Sequence, residues 1–279
     1  MSNPSYEKKD YGQGAGIPVL KTIWDLFDLS LLFSQLGFLK HSGLAPWLLA
    51  FAYICGLIGQ VNSANQNAKF SDYAPVLKQL LSGKTISQST FSRFLSTPFD
   101  WFKFSLGRLK RLQSNTDSRL TDGDIIALDD SKIEHSFGKQ IPFLCWLFDS
   151  SQKRHVWCMN LVSTLAVLKN GLEYPMLWRF WIKTDQKDEK QTKIDLAKQM
   201  LSEIRQLNSA RLWVAMDRWF LCKKFLRWLM DQGFDWVTKA KRNTVLYRKI
   251  YDPVLCKERY IKLNPRQLLQ EVYPKLRLL

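Results

Sequence analysis

Residues 124–136 read DIIALDDSKIEHS. A short apolar run, Ile125-Ile126-Ala127-Leu128, ends on two adjacent carboxylates, Asp129 and Asp130. A carboxylate taken toward a core is costly unless it is paired, hydrogen-bonded or bound to a metal. The stretch is therefore either a strand that surfaces into a turn or a strand that delivers a carboxylate to a site. Neighbouring strand residues point to opposite faces, so only one of the two aspartates can face such a site.

A second segment, ARLWVAMD (210–217), ends the same way, on Asp217. Between the two lie HVWCMNLVSTLAVLK (155–169) and LEYPMLWRFWIKT (172–184), both rich in β-branched and apolar residues. Asn170-Gly171 joins them, a strong hairpin signal. DEKQTKIDLAKQMLSEIRQLN (188–208) predicts a helix with Ile194, Leu196, Ala197, Met200, Leu201 and Ile204 on its apolar face. After Asp217 come a helix over 223–233, closed by Gly233, and a strand over 234–240. Three strands, helix, strand, helix, strand predict an α/β domain on a mixed sheet.

In α/β sheets functional groups gather at the C-terminal ends of strands. If the first and fourth predicted strands are neighbours, their aspartates converge. Converging carboxylates with nothing basic beside them form a hard oxygen site, suited to Mg²⁺ or Mn²⁺. Two such ions can activate a water and stabilise the leaving oxygen in phosphodiester cleavage. The plainer alternative is that Asp130 and Asp217 cap turns or helices. Arg218 either pairs with a carboxylate locally or reaches a phosphate.

Residues 17–120 read mainly as helices, after a polar, Gly-rich start (1–16) expected to be disordered. Apolar residues recur at helical spacing in VLKTIWDLFDLSLLFSQLGF (19–38). LAPWLLAFAYICGLIGQV (44–61) carries no charge, but its length is marginal for a membrane span, and it reads as a buried helix. A short helix ending near Ser82-Gly83, a turn and SQSTFSRFLS (87–96) suggest a helix-turn-helix. Ser87 would cap the second helix, Phe91, Phe94 and Leu95 would face the core, and Gln88, Ser89, Ser92 and Arg93 would face out. Gln88 and Arg93 are candidate DNA contacts. A plain helical bundle is the competing reading.

The chain carries +16, and the excess is not even: residues 1–120 hold 13 basic and 7 acidic side chains, 121–217 hold 13 of each, and 218–279 hold 15 and 5. Basic flanks around a neutral middle point to a polyanion such as nucleic acid. Lys239, Lys241 and Arg242 follow the last strand, with Arg248 and Lys249 beyond, a run suited to phosphate contacts or to a lysine-protected sheet edge. The five cysteines (55, 145, 158, 222, 256) form no CxxC pair and read as reduced, mostly buried thiols of a cytoplasmic protein. No apolar signal segment follows the start.

Three motifs in this order resemble the DDE transposases of bacterial insertion sequences, over about residues 121 to 250. ALDDSK resembles the first motif, a strand running into Asp before a small hydroxyl residue. HVWCMNLVSTLAVLKNGLEYPMLWRFW resembles the hairpin that follows, and WVAMDRWFLCKKFLRWLMDQGFDWVTKAKRN the second motif. The resemblance implies a ribonuclease-H-like catalytic core (121–250) of mixed sheet and flanking helices, preceded by a helical DNA-binding domain (17–120). It implies Asp130, before Ser131, and Asp217 as catalytic metal ligands, with Asp129 the fallback for the first position. It implies Mg²⁺ or Mn²⁺, and double-stranded DNA as partner, both terminal repeats and target. It further implies a homodimer in a synaptic complex, a nucleoid-associated cytoplasmic location and no membrane. The family's third acid is a glutamate on a later helix, in a Tyr-Arg-Glu-Lys pattern after an inserted β-rich segment. Only Glu258 and Glu271 follow Asp217, and neither sits in that pattern. Residues 251–279 therefore read as the start of the insertion, with the core incomplete and cleavage impaired. The alternative is a non-catalytic DNA-binding fragment that inhibits transposition.

Overall fold

The computed structural model describes residues 16–37, 43–61, 63–138, 141–183, 191–239, 245–253 and 255–263. The expected disordered start therefore lies, apart from Gly16, outside the described residues, as do Lys241, Arg242 and Glu271.

Seven helices come first: α1 (Gly16–Leu26), α2 (Leu29–Gln35), α3 (Pro46–Ile58), α4 (Ala64–Tyr73), α5 (Pro75–Leu80), α6 (Gln88–Ser96) and α7 (Trp101–Ser114). Asp28, in the left-handed region at φ 46°, splits the apolar periodicity of 19–38 into α1 and α2. The uncharged α3 begins at Pro46 and buries Leu48, Leu49, Ala50, Phe51, Ala52, Cys55 and Gly56 in the helical core. Among the described residues no helix is long and apolar enough to cross a membrane. Gly56 lets α4 lie against α3, since a Cβ there would meet Asn67 Oδ1 at 1.7 Å.

The turn from α5 to α6 passes through Ser82 and Gly83, both at positive φ. Ser87 caps α6 by accepting the Thr90 N–H at 3.2 Å. Phe91 and Phe94 are buried, but Leu95 is 48% exposed, against the expectation that it faces the core. Phe91 and Phe94, three residues apart, fill the buried stripe of this short helix, and the next residue is turned away from it. Helix α7 serves two cores. Phe104 packs with the helical cluster, its ring tilted against Phe33 with centroids 4.6 Å apart, while Leu109 and Leu112 belong to the core of the sheet.

The α/β part has six strands in one sheet, β1 (Ile125–Glu134), β2 (Cys145–Asp149), β3 (Arg154–Val167), β4 (Glu173–Trp181), β5 (Trp213–Met216) and β6 (Asp235–Thr238). Their order is β2-β3-β1-β5-β6, with β4 also on β3. Strands β1 to β4 pair antiparallel, whereas β1, β5 and β6 run parallel. Helix α8 (Lys193–Leu207) connects β4 to β5, and α9 (Lys223–Asp231) connects β5 to β6. This is the expected mixed sheet with flanking helices behind a helical region, with one further strand, β2. The apolar face expected for the 188–208 helix is the one α8 buries. It packs on Ile126, Leu128, Val162, Val214 and Met216. On the other face Ile125, Trp213 and Val237 are exposed. A separate hairpin, β7 (Leu246–Asp252) and β8 (Lys257–Leu263), ends the described chain.

All five cysteines are free; Cys55 and Cys158 are buried, Cys145 and Cys222 half-buried, and Cys256 is exposed. Burial pushes the Cys55 thiol up to about 12.

One buried acid sets the register of the sheet. Asp124, just before β1, accepts the Thr121 N–H and hydroxyl at 2.7 and 3.0 Å and the Lys169 N–H at 2.9 Å. Its carbonyl takes the Trp213 N–H at 2.9 Å. The start of β1, the end of β3 and the start of β5 thus meet at one residue. Asp124→Ala strands three donors and is expected to lower stability by about 3 kcal/mol. Urea unfolding followed by far-UV circular dichroism measures it; an unchanged midpoint would show that the anchor does not matter.

Candidate active site

Strands β1 and β5 are neighbours and parallel, with Ile126 opposite Val214 and Leu128 opposite Met216. Met216 in turn pairs with Thr238 of β6. Asp129, Asp217 and Lys239 are the next residues on the three chains, so they follow the end of the parallel pairing at one level, where β5 and β6 stop and β1 runs on. Asp130 stands one residue further along β1, which continues against β3 with Asp130 opposite Val162. Asp217 is thus level with Asp129, and Asp130 stands one residue further along, at the end of the parallel pairing where α/β sheets place their sites.

Alternation distinguishes Asp129 from Asp130. Asp130 shares the face of Ile126 and Leu128, the face covered by α8. Asp129 is exposed on the other side, where its Oδ1 accepts the Asp130 N–H at 2.8 Å.

Asp130 has two side-chain partners on the same oxygen. Lys193 Nζ lies 2.6 Å from Oδ2 and Asn160 Nδ2 donates to it at 3.1 Å. The ion pair is largely shielded, with the Asp130 and Lys193 side chains 18% and 15% exposed. Lys193 is held from three sides, since its ammonium also lies 5.5 Å from the Trp181 ring and 5.3 Å from the Trp219 ring. It opens α8, whose start is fixed by a capping box between Thr192 and Asp195. The Thr192 hydroxyl, bonded to the Asp195 carboxylate, holds that acid below the usual carboxylate range. The expectation of carboxylates with nothing basic beside them is thus corrected at Asp130. The helix that follows the hairpin returns a lysine to it across 63 residues, a neighbour that no local spacing reveals.

Asp217 follows β5 directly and is exposed. Its carbonyl accepts the Phe220 N–H at 3.0 Å, starting a short 3-10 turn (Arg218–Phe220). Phe220 is buried in the sheet core, which holds the turn down, while Arg218 and Trp219 are exposed. Trp219 reaches Lys193, so the surroundings of the two aspartates touch through Lys193.

The donor set fits a hard divalent cation in kind. Asp130 is a carboxylate oxygen donor already next to a cation, and Asn160 Oδ1 is a buried oxygen with no hydrogen-bond partner. Asp217 lies at the end of the adjoining strand. No group of three or more His, Cys, Asp or Glu side chains is arranged to hold a metal among the described residues. Glu258 lies on β8, ion-paired with Lys249 of β7.

Gln88, Ser89, Ser92 and Arg93 are all exposed on α6, and Lys239 is exposed at the end of β6. Asn160, Lys193 and Trp219 were not singled out by sequence reasoning. A signal existed for Asn160 alone, as an amide at the parity that places Cys158, Val162 and Ala166 in the core.

A family model described as DDE superfamily endonuclease matches residues 73–274. No curated protein matches. A solved structure of piggyBac transposase, in a synaptic complex with hairpin DNA, is similar over 83% of this chain, with a TM-score of 0.44 and 11% identity. This chain spans 56% of that protein's length. With a match over more than half its length, including both aspartates and the strands that carry them, the chain belongs to the DDE superfamily of endonucleases.

Proposed function

We propose that this chain is a transposase of an insertion sequence, acting on double-stranded DNA at terminal repeats by metal-dependent strand cleavage and strand transfer. The observation that supports this reading is the parallel pairing of β1 with β5, which ends at Leu128 and Met216, so that Asp129 and Asp130 on β1 and Asp217 after β5 follow directly beyond it. Family membership supports the nuclease chemistry. Asp130 and Asp217 are the catalytic metal ligands in this reading, and Mg²⁺ or Mn²⁺ is the ion. Asp130 and Asp217 would hold the ion, which would supply Lewis acidity, easing deprotonation of the attacking water and neutralising charge on the departing oxygen. Asp130 is oriented for this by Asn160 and Lys193, which fix its carboxylate on the α8 face.

The partners are terminal-repeat and target DNA, engaged by a homodimer. Lys239 and Arg218 flank Asp217 at the sheet edge and suit phosphate contacts, and Gln88 and Arg93 on α6 suit a groove. Lys241 and Arg242 extend the same basic run in sequence. Glu258 is engaged by Lys249 in the β7–β8 hairpin, so the described residues supply two catalytic acids. On this reading, cleavage that rests on these two acids alone is weak. That same observation favours a second reading, a DNA-binding module that competes with an active enzyme.

Two measurements test these statements. On a supercoiled plasmid carrying terminal repeats, Mn²⁺-dependent nicking is expected to be slow and to fall to background in Asp217→Ala. Equal nicking by both removes Asp217 from the mechanism, and salt-sensitive binding without nicking favours the second reading. The logarithm of DNA affinity is expected to fall linearly with the logarithm of salt, and Lys239→Ala to shallow that slope by about 1. A flat response rules out phosphate contacts.

A further inference from the structure

Asn160 sits on β3 with no exposed surface. One end of its amide, Nδ2, donates to Asp130 Oδ2 at 3.1 Å, and the other end, Oδ1, is buried without a hydrogen-bond partner. An unmet buried acceptor costs on the order of 1–3 kcal/mol. Reversing the amide does not help, because it would set an oxygen against the carboxylate. The orphan oxygen is therefore fixed beside Asp130 as a neutral hard donor. Lys193 Nζ holds the same Oδ2 at 2.6 Å and rests between the indoles of Trp181 and Trp219.

We propose that Asn160 Oδ1 is a further ligand of the divalent ion, and that Lys193 is a tethered counter-cation which holds Asp130 until the ion arrives. This rests on the metal-dependent reading above. An ammonium and a divalent ion cannot share one carboxylate oxygen at contact distance, because their like charges repel with little screening at a largely shielded site. Even at the other carboxylate oxygen the ion would lie within a few ångströms of the ammonium, so on this proposal metal uptake displaces Lys193. The lysine keeps its charge and its flexible four-carbon stem. Once displaced, it faces the same edge as Arg218 and Lys239, where a DNA phosphate would be met. The exchange has a logic for a nuclease. The empty site carries no exposed, unpaired carboxylate at Asp130, and metal uptake frees a cation for the substrate.

The test is Mn²⁺ binding to the full chain without DNA, read from the electron paramagnetic resonance signal of free Mn²⁺. Asn160→Leu is expected to weaken binding about tenfold, the scale on which groups around a metal act. Lys193→Met is expected to strengthen it by a similar factor, about tenfold, by removing the competitor. A purely structural lysine would have the opposite sign, with Lys193→Met binding more weakly. Asp217→Ala separates the two levels. If the wild-type chain binds no Mn²⁺, or Asp217→Ala binds as well as wild type, the metal reading and this proposal both fall. If Asp217→Ala loses binding while Asn160→Leu and Lys193→Met match wild type, this proposal alone falls. Should Asn160→Leu not fold, Lys193→Met decides: tighter binding supports the exchange, and equal or weaker binding overturns it.

Discussion

Everything at the site depends on the parallel pairing of β1 with β5. The two strands are separated in sequence by a hairpin and a helix, and only their register brings Asp217 to the level of Asp129, next to Asp130. Asp124 fixes that register from the opposite end, binding β1, β3 and β5 through four hydrogen bonds. The segment of β1 that pairs with β5 is therefore flanked by acids with different work. Asp124 is buried and satisfied within the protein, while Asp130 is half-buried at the edge where α8 begins.

The electrostatics of Asp130 follow from where α8 starts. A carboxylate on the core face must be compensated, and Lys193, the first residue of that helix, does so. Lys193 is in turn shared with two indoles. One of them, Trp219, is two residues from Asp217. A single lysine thus couples the middle of β1, the end of β4 and the turn after β5. Asn160 completes the group from β3, and its amide oxygen is buried without a hydrogen-bond partner.

Much of this was legible in the sequence, and the losses have physical reasons. The hairpin at Asn170-Gly171, the apolar face of α8 and the strand ending at Asp217 rest on strong local signals, namely turn chemistry and periodicity. The cap at Ser87 was equally local. Strand β2 was missed because Cys145–Asp149 is a five-residue edge strand with no flanking turn signal strong enough to set it apart. Leu95 was misplaced because a short helix buries a narrower stripe than its apolar residues suggest. Lys193 was invisible as a site residue, since its contact with Asp130 spans 63 positions and exists only after the sheet forms. Asn160 could have been found, as the one amide in the buried alternation of β3.

A crystal of the chain soaked in Mn²⁺, with the ion located from its anomalous scattering, tests the central claim most directly. The account predicts a peak at the C-terminal edge of β1 and β5, within about 2.1 Å of carboxylate oxygens from both Asp130 and Asp217. A peak elsewhere, or the two carboxylates lying on opposite faces of the sheet with no ion between them, would contradict it.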